Sequence, residues 1–216
     1  MGNFIETEKN FTSLSIFQKL MCADVFKLPA LDSRLNCLAY IWQKIPKQTL
    51  MDKKTLCEYY LSELKAEAEA TRKCLERIPE SVYEFKPHDK SMPMGYLTLL
   101  VAEIPQWIKR MIEESVIDLG TYGHFQLSNT SALLAHYDAN LHGAANALSN
   151  ISDDSLDRPF ELKHNGALLY SSPKLDSIGS TLNHWVHHRG QLTVYMRLND
   201  IAVLSIYGPS ADEKTF

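Results

Sequence analysis

The most informative stretch of this chain covers Leu182–Asp200 and has the sequence LNHWVHHRGQLTVYMRLND. We interpret it as part of a helix, on which His184 and His188 share one face and lie one turn apart. Two imidazoles at this spacing can bind a single transition-metal ion, as paired helical histidines do in zinc enzymes. The stretch therefore predicts a helix that carries a candidate metal site.

The polar stripe on this helix extends beyond the two histidines. At about 100° per residue, Gln191 and Tyr195 fall on the same narrow stripe, and His187 falls beside it. Burying a polar side chain without a partner costs about 1–3 kcal/mol, so a bundle core normally has an aliphatic stripe here. The pattern predicts either a solvent-exposed face or polar atoms that have partners: a metal, a polar ligand or an internal hydrogen-bond network.

Length and composition fit a globular protein of one domain, or one domain plus an extension. The chain has 216 residues, of which 45% are hydrophobic and 22% charged, and it is long enough to bury a sizeable core. Its formal net charge is -4, and it has no basic cluster. Because an acidic chain has no general attraction for phosphate backbones, we expect no nucleic acid partner.

Cysteine usage and hydropathy predict a cytoplasmic protein without a membrane partner. Cys22, Cys37, Cys57 and Cys74 form no C-x-x-C pair, and we expect them to be reduced thiols. The N-terminus has no basic segment followed by an apolar core, so no signal peptide is predicted. No apolar stretch approaches the roughly 20 residues that a membrane-spanning helix requires.

Hydrophobic periodicity predicts four long helices and an all-α fold. Asp52 is the expected N-cap of the first, and Ser91 is the expected cap of the second. The four helices are predicted at about residues 52–78, 93–115, 130–150 and 176–198. Four long helices with one long connection suggest a four-helix bundle.

A small β-hairpin is predicted between the third and fourth helices. Residues 160–163 and 167–170 have strand-like composition, and they flank Asn165-Gly166, a pair typical of tight turns. No other part of the chain carries a strand signal.

The first part of the chain is predicted to be an N-terminal helical extension. Two short helices are expected at about residues 11–26 and 33–44. We therefore divide the chain into this extension, residues 1–50, and a bundle domain, residues 51–216.

A family resemblance supports the bundle. The last helix carries the pattern HxxHHRGQLxxYxRL over residues 184–198, and YGPSAD follows at residues 207–212. Together with supporting segments between residues 69 and 105, this pattern resembles the DinB-like (DinB/YfiT) superfamily. The resemblance covers about residues 55–213.

The resemblance implies a four-helix bundle with a mononuclear metal site, commonly nickel or zinc. Similar proteins are metal-dependent hydrolases, or S-transferases that use a low-molecular-weight thiol, and they act on small molecules and often form homodimers. The implied ligands are two histidines of the last helix, matching His184 and His188, and one histidine of the second helix. In such a site the metal acts as a Lewis acid that activates a bound water or thiol.

The chain departs from this pattern at the third ligand. The position on the second helix is occupied by Leu100, which cannot coordinate a metal. Two hypotheses therefore stand. The chain is a metal-dependent hydrolase or thiol S-transferase, or it is a degenerate member with weak or no metal binding that binds a small ligand or a protein.

Other polar residues are weighed as accessory groups, and no catalytic residue is assigned. His136, at the edge of the third helix's core stripe, is a candidate further ligand, and His187 is a candidate second-shell group. Glu103 is expected to be a surface carboxylate, and His124 a surface residue of a loop. Arg189 is expected to pair with an acidic neighbour of the same chain.

Overall fold

The computed structural model describes residues 52–214. A 3-10 turn, Glu80–Val82, follows the first of five α-helices in this part of the chain: α1 (Lys53–Glu76), α2 (Met94–Glu113), α3 (Thr130–Ser149), α4 (Asp153–Asp157) and α5 (Lys174–Leu198). The four long helices are those predicted, whereas the single short turn of α4 was not predicted. The short helices expected near residues 11–26 and 33–44 lie outside the described residues.

Side-chain caps explain where two of the helices begin. The Asp52 carboxylate accepts a hydrogen bond of 2.9 Å from the amide of Thr55, as predicted for the start of α1. The Asn129 side chain accepts one of 2.8 Å from the amide of Ala132 at the start of α3. The cap predicted at Ser91 is wrong, because α2 begins after Pro93 and has no side-chain cap.

The bundle core is centred on α2. This helix packs against α3 and α5, and α1 packs against the same two helices. Every residue from Leu97 to Pro105 is buried, so α2 has no solvent-exposed side over this length. Trp185 of α5 donates its indole N–H to the carbonyl of Val101 over 2.9 Å, which ties α5 to α2.

A three-stranded sheet accompanies the bundle. The strands are β1 (Val116–Asp118), β2 (Phe160–His164) and β3 (Ala167–Ser172), in the order β1-β2-β3. The predicted hairpin is confirmed by the antiparallel pair β2 and β3. Strand β1 was not predicted, because its three residues are too few for an alternating pattern; it pairs in parallel with β2.

The hairpin turn is held by a carboxylate on β1. Asn165 and Gly166 both have positive φ angles, 49° and 82°, as the tight turn requires. The Asp118 carboxylate accepts hydrogen bonds of 2.8 and 2.7 Å from their two amides. A Cβ at Gly120 would lie 2.0 Å from the side-chain oxygen of Asn165, so this close approach requires glycine.

The segment after α5 is held to the bundle by ion pairs. Arg197 pairs with Asp212, and Arg77 with Glu213. The intramolecular pair predicted for Arg189 is confirmed, since its guanidinium lies 2.5 Å from the Glu67 carboxylate. The Glu67 side chain is itself only 14% exposed.

Candidate functional site

Two histidines of α5 form the centre of the candidate site. Both His184 and His188 are partly buried, and their Nε2 atoms lie 2.7 Å apart. Their ring centroids are 4.4 Å apart. This proximity follows directly from the helical spacing, because side chains four residues apart lie over the same turn.

The neighbouring glutamine fixes the state of one imidazole. The Nδ1 atom of His188 lies 2.7 Å from the Oε1 atom of Gln191, and this oxygen can only accept. Nδ1 of His188 therefore donates to Gln191, and Nε2 of His188 lies toward His184. Burial lowers the pKa of His184, and the imidazoles of His188 and His187 lower it further. The Nε2 atoms of the two imidazoles thus face each other.

The remaining residues of the predicted stripe are arranged differently. His187 is exposed, with its ring 5.2 Å from that of His188. Tyr195 is buried and donates its hydroxyl to the carbonyl of Met92 over 3.2 Å. Its ring packs edge-on against Phe85. Gln191 therefore joins the histidine pair, His187 flanks it, and the Tyr195 hydroxyl is used in the packing of the bundle.

The residues described do not complete a three-ligand metal centre. Leu100 is 9% exposed and belongs to the hydrophobic core, so its position supplies no donor atom. Between residues 52 and 214, no three His, Cys, Asp or Glu side chains are grouped so that they could hold a metal. The donor set here is two imidazole nitrogens, one fewer than the resemblance implies.

His136 lies in a different cluster, around a buried carboxylate. The prediction of Glu103 as a surface residue is wrong, since it is 1% exposed. Its carboxylate lies 2.8 Å from Nδ1 of His124 and accepts a 2.8 Å hydrogen bond from the amide of Phe125. His136 stacks on Phe125 at 4.3 Å, with its Nε2 atom 3.6 Å from Glu103. This cluster joins α2, which carries Glu103, to α3, which carries His136, and to the loop after β1.

An apolar cavity adjoins the histidine pair. It has a volume of about 390 Å³ and lies between α2, α5 and the sheet, with His184 in its wall. Most of its lining is apolar and comes from α2, the sheet and the residues next to it: Trp107, Met111, Ile117, Leu119, Phe160 and Leu162. Sequence reasoning missed this cavity because β1, which supplies Ile117, was not predicted.

Solved structures identify the class of fold. A DinB-like protein from Bacillus subtilis aligns with a TM-score of 0.56, covering 73% of this chain and 99% of that one, at 18% sequence identity. A DinB-like protein from Bacillus cereus aligns with a TM-score of 0.53, covering 69% and 97%, at 20% identity. The fold is therefore that of the DinB-like helical bundles.

Comparison of the sequence with known families establishes the family. The DinB family matches residues 51–215, which is most of the chain, and the chain belongs to this family. Comparison with curated proteins returned no match. Among the helices described, none is both long enough and apolar enough to cross a membrane.

Proposed function

We propose that this DinB-family protein binds a small molecule at the histidine pair of α5 and the adjoining cavity. The observation that carries the proposal is the position of His184. It is both half of the hydrogen-bonded pair and part of the cavity wall. A concave, mostly apolar site with a few polar groups is the usual form of a small-molecule site.

The hydrogen bonds of the two imidazoles support a small-molecule site that works without a metal ion. In the described part of the chain the two Nε2 atoms are hydrogen-bonded to each other and Nδ1 of His188 is bonded to Gln191, without help from a third ligand. Leu100 fills its position with an apolar side chain that packs in the core. The pair needs no ion to offset the cost of its partial burial, because its hydrogen bonds already do so.

A metal-dependent hydrolase or thiol S-transferase is the second candidate. The convergence of the two Nε2 atoms favours it, and so does the Gln191 contact, which orients His188 as a second-shell group orients a ligand. Nickel or zinc held there would supply Lewis acidity. Cys57 and Cys74, the two cysteines between residues 52 and 214, are both buried, so neither is placed to supply the thiol. Burial raises the pKa of Cys74 to about 11, which disfavours its thiolate.

Metal titration decides between the two candidates. The full chain, stripped of metal with a chelator, is titrated with zinc and with nickel by calorimetry. The same titration is run on His184→Ala, on Leu100→His, and on His142→Ala as a control, since His142 is exposed on α3 and bonds Asn146. We expect weak binding by the wild type and tighter binding by Leu100→His, because a third imidazole adds a donor.

One outcome of the titration would favour the metal-dependent hydrolase or thiol S-transferase. Tight, near-stoichiometric metal binding by the wild type, lost in His184→Ala and kept in His142→Ala, would contradict a site without a metal centre. A Leu100→His variant with unchanged metal affinity would show that position 100 does not face the histidine pair.

A further inference from the structure

The lining of the cavity beside His184 selects among ligands, and we infer that it binds a neutral aromatic molecule with one hydrogen-bonding group. This inference rests on the proposed function, because it names the ligand class of that same site. The volume of about 390 Å³ falls within the range of small-molecule sites, about 300–1,000 Å³. A ring system of one or two fused rings is a suitable occupant.

The absence of charge in the lining points to a neutral ligand. None of the residues that line the cavity is Asp, Glu, Lys or Arg. An anionic or cationic ligand would lose its hydration without gaining an opposite charge.

The indole of Trp107 points to an aromatic ligand. Its ring centroid lies 5.4 Å from that of His184, at an angle of 38°. Its N–H donates to the Tyr122 hydroxyl over 3.1 Å, and that hydroxyl donates to Gln106 over 3.0 Å. These bonds fix the ring and occupy its only polar atom. What Trp107 offers a ligand is therefore a flat apolar surface, suited to stacking.

Few polar atoms of the lining are free to recognise a ligand. The Thr181 hydroxyl donates to the carbonyl of Ser177 over 2.8 Å, and the Ser177 hydroxyl is bonded to that of Ser172. His184 uses Nε2 toward His188, and its Nδ1 atom has no hydrogen-bond partner within residues 52–214. Nδ1 of His184 and the hydroxyls of the exposed Ser180 and Tyr170 are the groups left for one polar substituent of the ligand.

A pair of probes that differ only in charge tests the ligand class. The full chain is titrated with 2-naphthol and with 2-naphthalenesulfonate by calorimetry at neutral pH. We expect 2-naphthol to bind with at least about tenfold higher affinity than the sulfonate, a difference of about 1.4 kcal/mol. No binding of 2-naphthol, or equal binding of the two probes, would overturn the inference.

Variants on one helix locate the binding. Ser180→Phe places a ring into the cavity from an exposed position, and Asn183→Phe places the same ring on an exposed position of α5 outside the lining. Binding of 2-naphthol that is lost in Ser180→Phe and kept in Asn183→Phe supports the cavity. Equal binding by both variants places the probe elsewhere and overturns the inference. Thermal unfolding shows that both variants are folded.

A third variant separates this inference from the proposed function. His184→Gln removes the imidazole and keeps a polar side chain of similar reach. Weaker binding of 2-naphthol by His184→Gln supports both the ligand class and the role of the histidine pair. Unchanged binding, with the Ser180→Phe effect intact, leaves the aromatic ligand standing but overturns the part of the proposed function that assigns ligand contact to His184.

Discussion

Removal of the Arg189 guanidinium should destabilise the bundle strongly. Arg189 is 2% exposed, and its guanidinium lies 2.5 Å from the Glu67 carboxylate. It also donates to the Thr71 hydroxyl over 3.1 Å and to the Tyr207 hydroxyl over 2.7 Å. It thus joins α1, α5 and the segment after α5. Arg189→Met keeps much of the apolar stem but leaves the carboxylate without its cation.

The size of the effect follows from what remains after the substitution. Removing one partner of a buried ion pair costs about 3–5 kcal/mol, because the other charge is left uncompensated. Glu67 is 14% exposed and keeps a 2.9 Å hydrogen bond from Tyr207, so we expect the lower end, about 3 kcal/mol. In a domain of this size that loss lowers Tm by roughly 6–12 °C.

Urea unfolding followed by far-UV circular dichroism measures this loss. The matched control is Arg197→Met, on the same helix, whose partner is Asp212 but whose side chain is 49% exposed. A surface pair of that kind contributes about 0–1 kcal/mol. Adding Glu67→Gln to Arg189→Met should restore part of the stability. If Arg189→Met costs no more than Arg197→Met, the argument from an uncompensated buried charge is refuted.

Three further substitutions test other parts of the fold. Burial lowers the pKa of Lys174, so above that lowered pKa the unfolded state binds more protons than the folded state. The stability of the wild type should therefore rise from pH 7 toward pH 10 when it is measured against that of Lys174→Met by urea unfolding. Glu103→Ala should cost about 2–3 kcal/mol and speed hydrogen exchange at the Phe125 amide, which loses its acceptor. Asp118→Ala should loosen the hairpin turn and speed hydrogen exchange at the Gly166 amide, which loses its acceptor.

The long helices could be predicted because their signals are local. Asp52 caps α1 within a single turn, and the hairpin turn at Asn165-Gly166 depends on two adjacent residues. Strand β1 depends on a partner more than forty residues away, since Val116 pairs with Glu161. Its three residues carry no periodicity of their own, and tertiary pairing alone makes them a strand.

The error at Glu103 has a physical cause. A stripe argument assumes that a helix has one side in solvent, and this assumption fails for α2 between Leu97 and Pro105. The loop that follows β1 covers the side of α2 where Glu103 lies, and Phe125 of that loop uses the carboxylate as its acceptor. The signal available in the sequence was the nearly continuous apolar run around Glu103, which is typical of a helix buried on all sides.

The chain keeps the bundle fold without a histidine at position 100 because folding and metal binding have separate physical origins. Burying a leucine side chain contributes about 1.5–3 kcal/mol, so Leu100 adds to the core on which folding depends. A histidine there would need a partner for each ring nitrogen to offset its burial. On α5, His184 and His188 pair three of their four ring nitrogens, with each other and with Gln191, and only Nδ1 of His184 has no partner within residues 52–214. These hydrogen bonds hold the pair in the bundle without a metal, and under the proposed function the apolar cavity that α5 shares with the sheet selects the molecules that reach it.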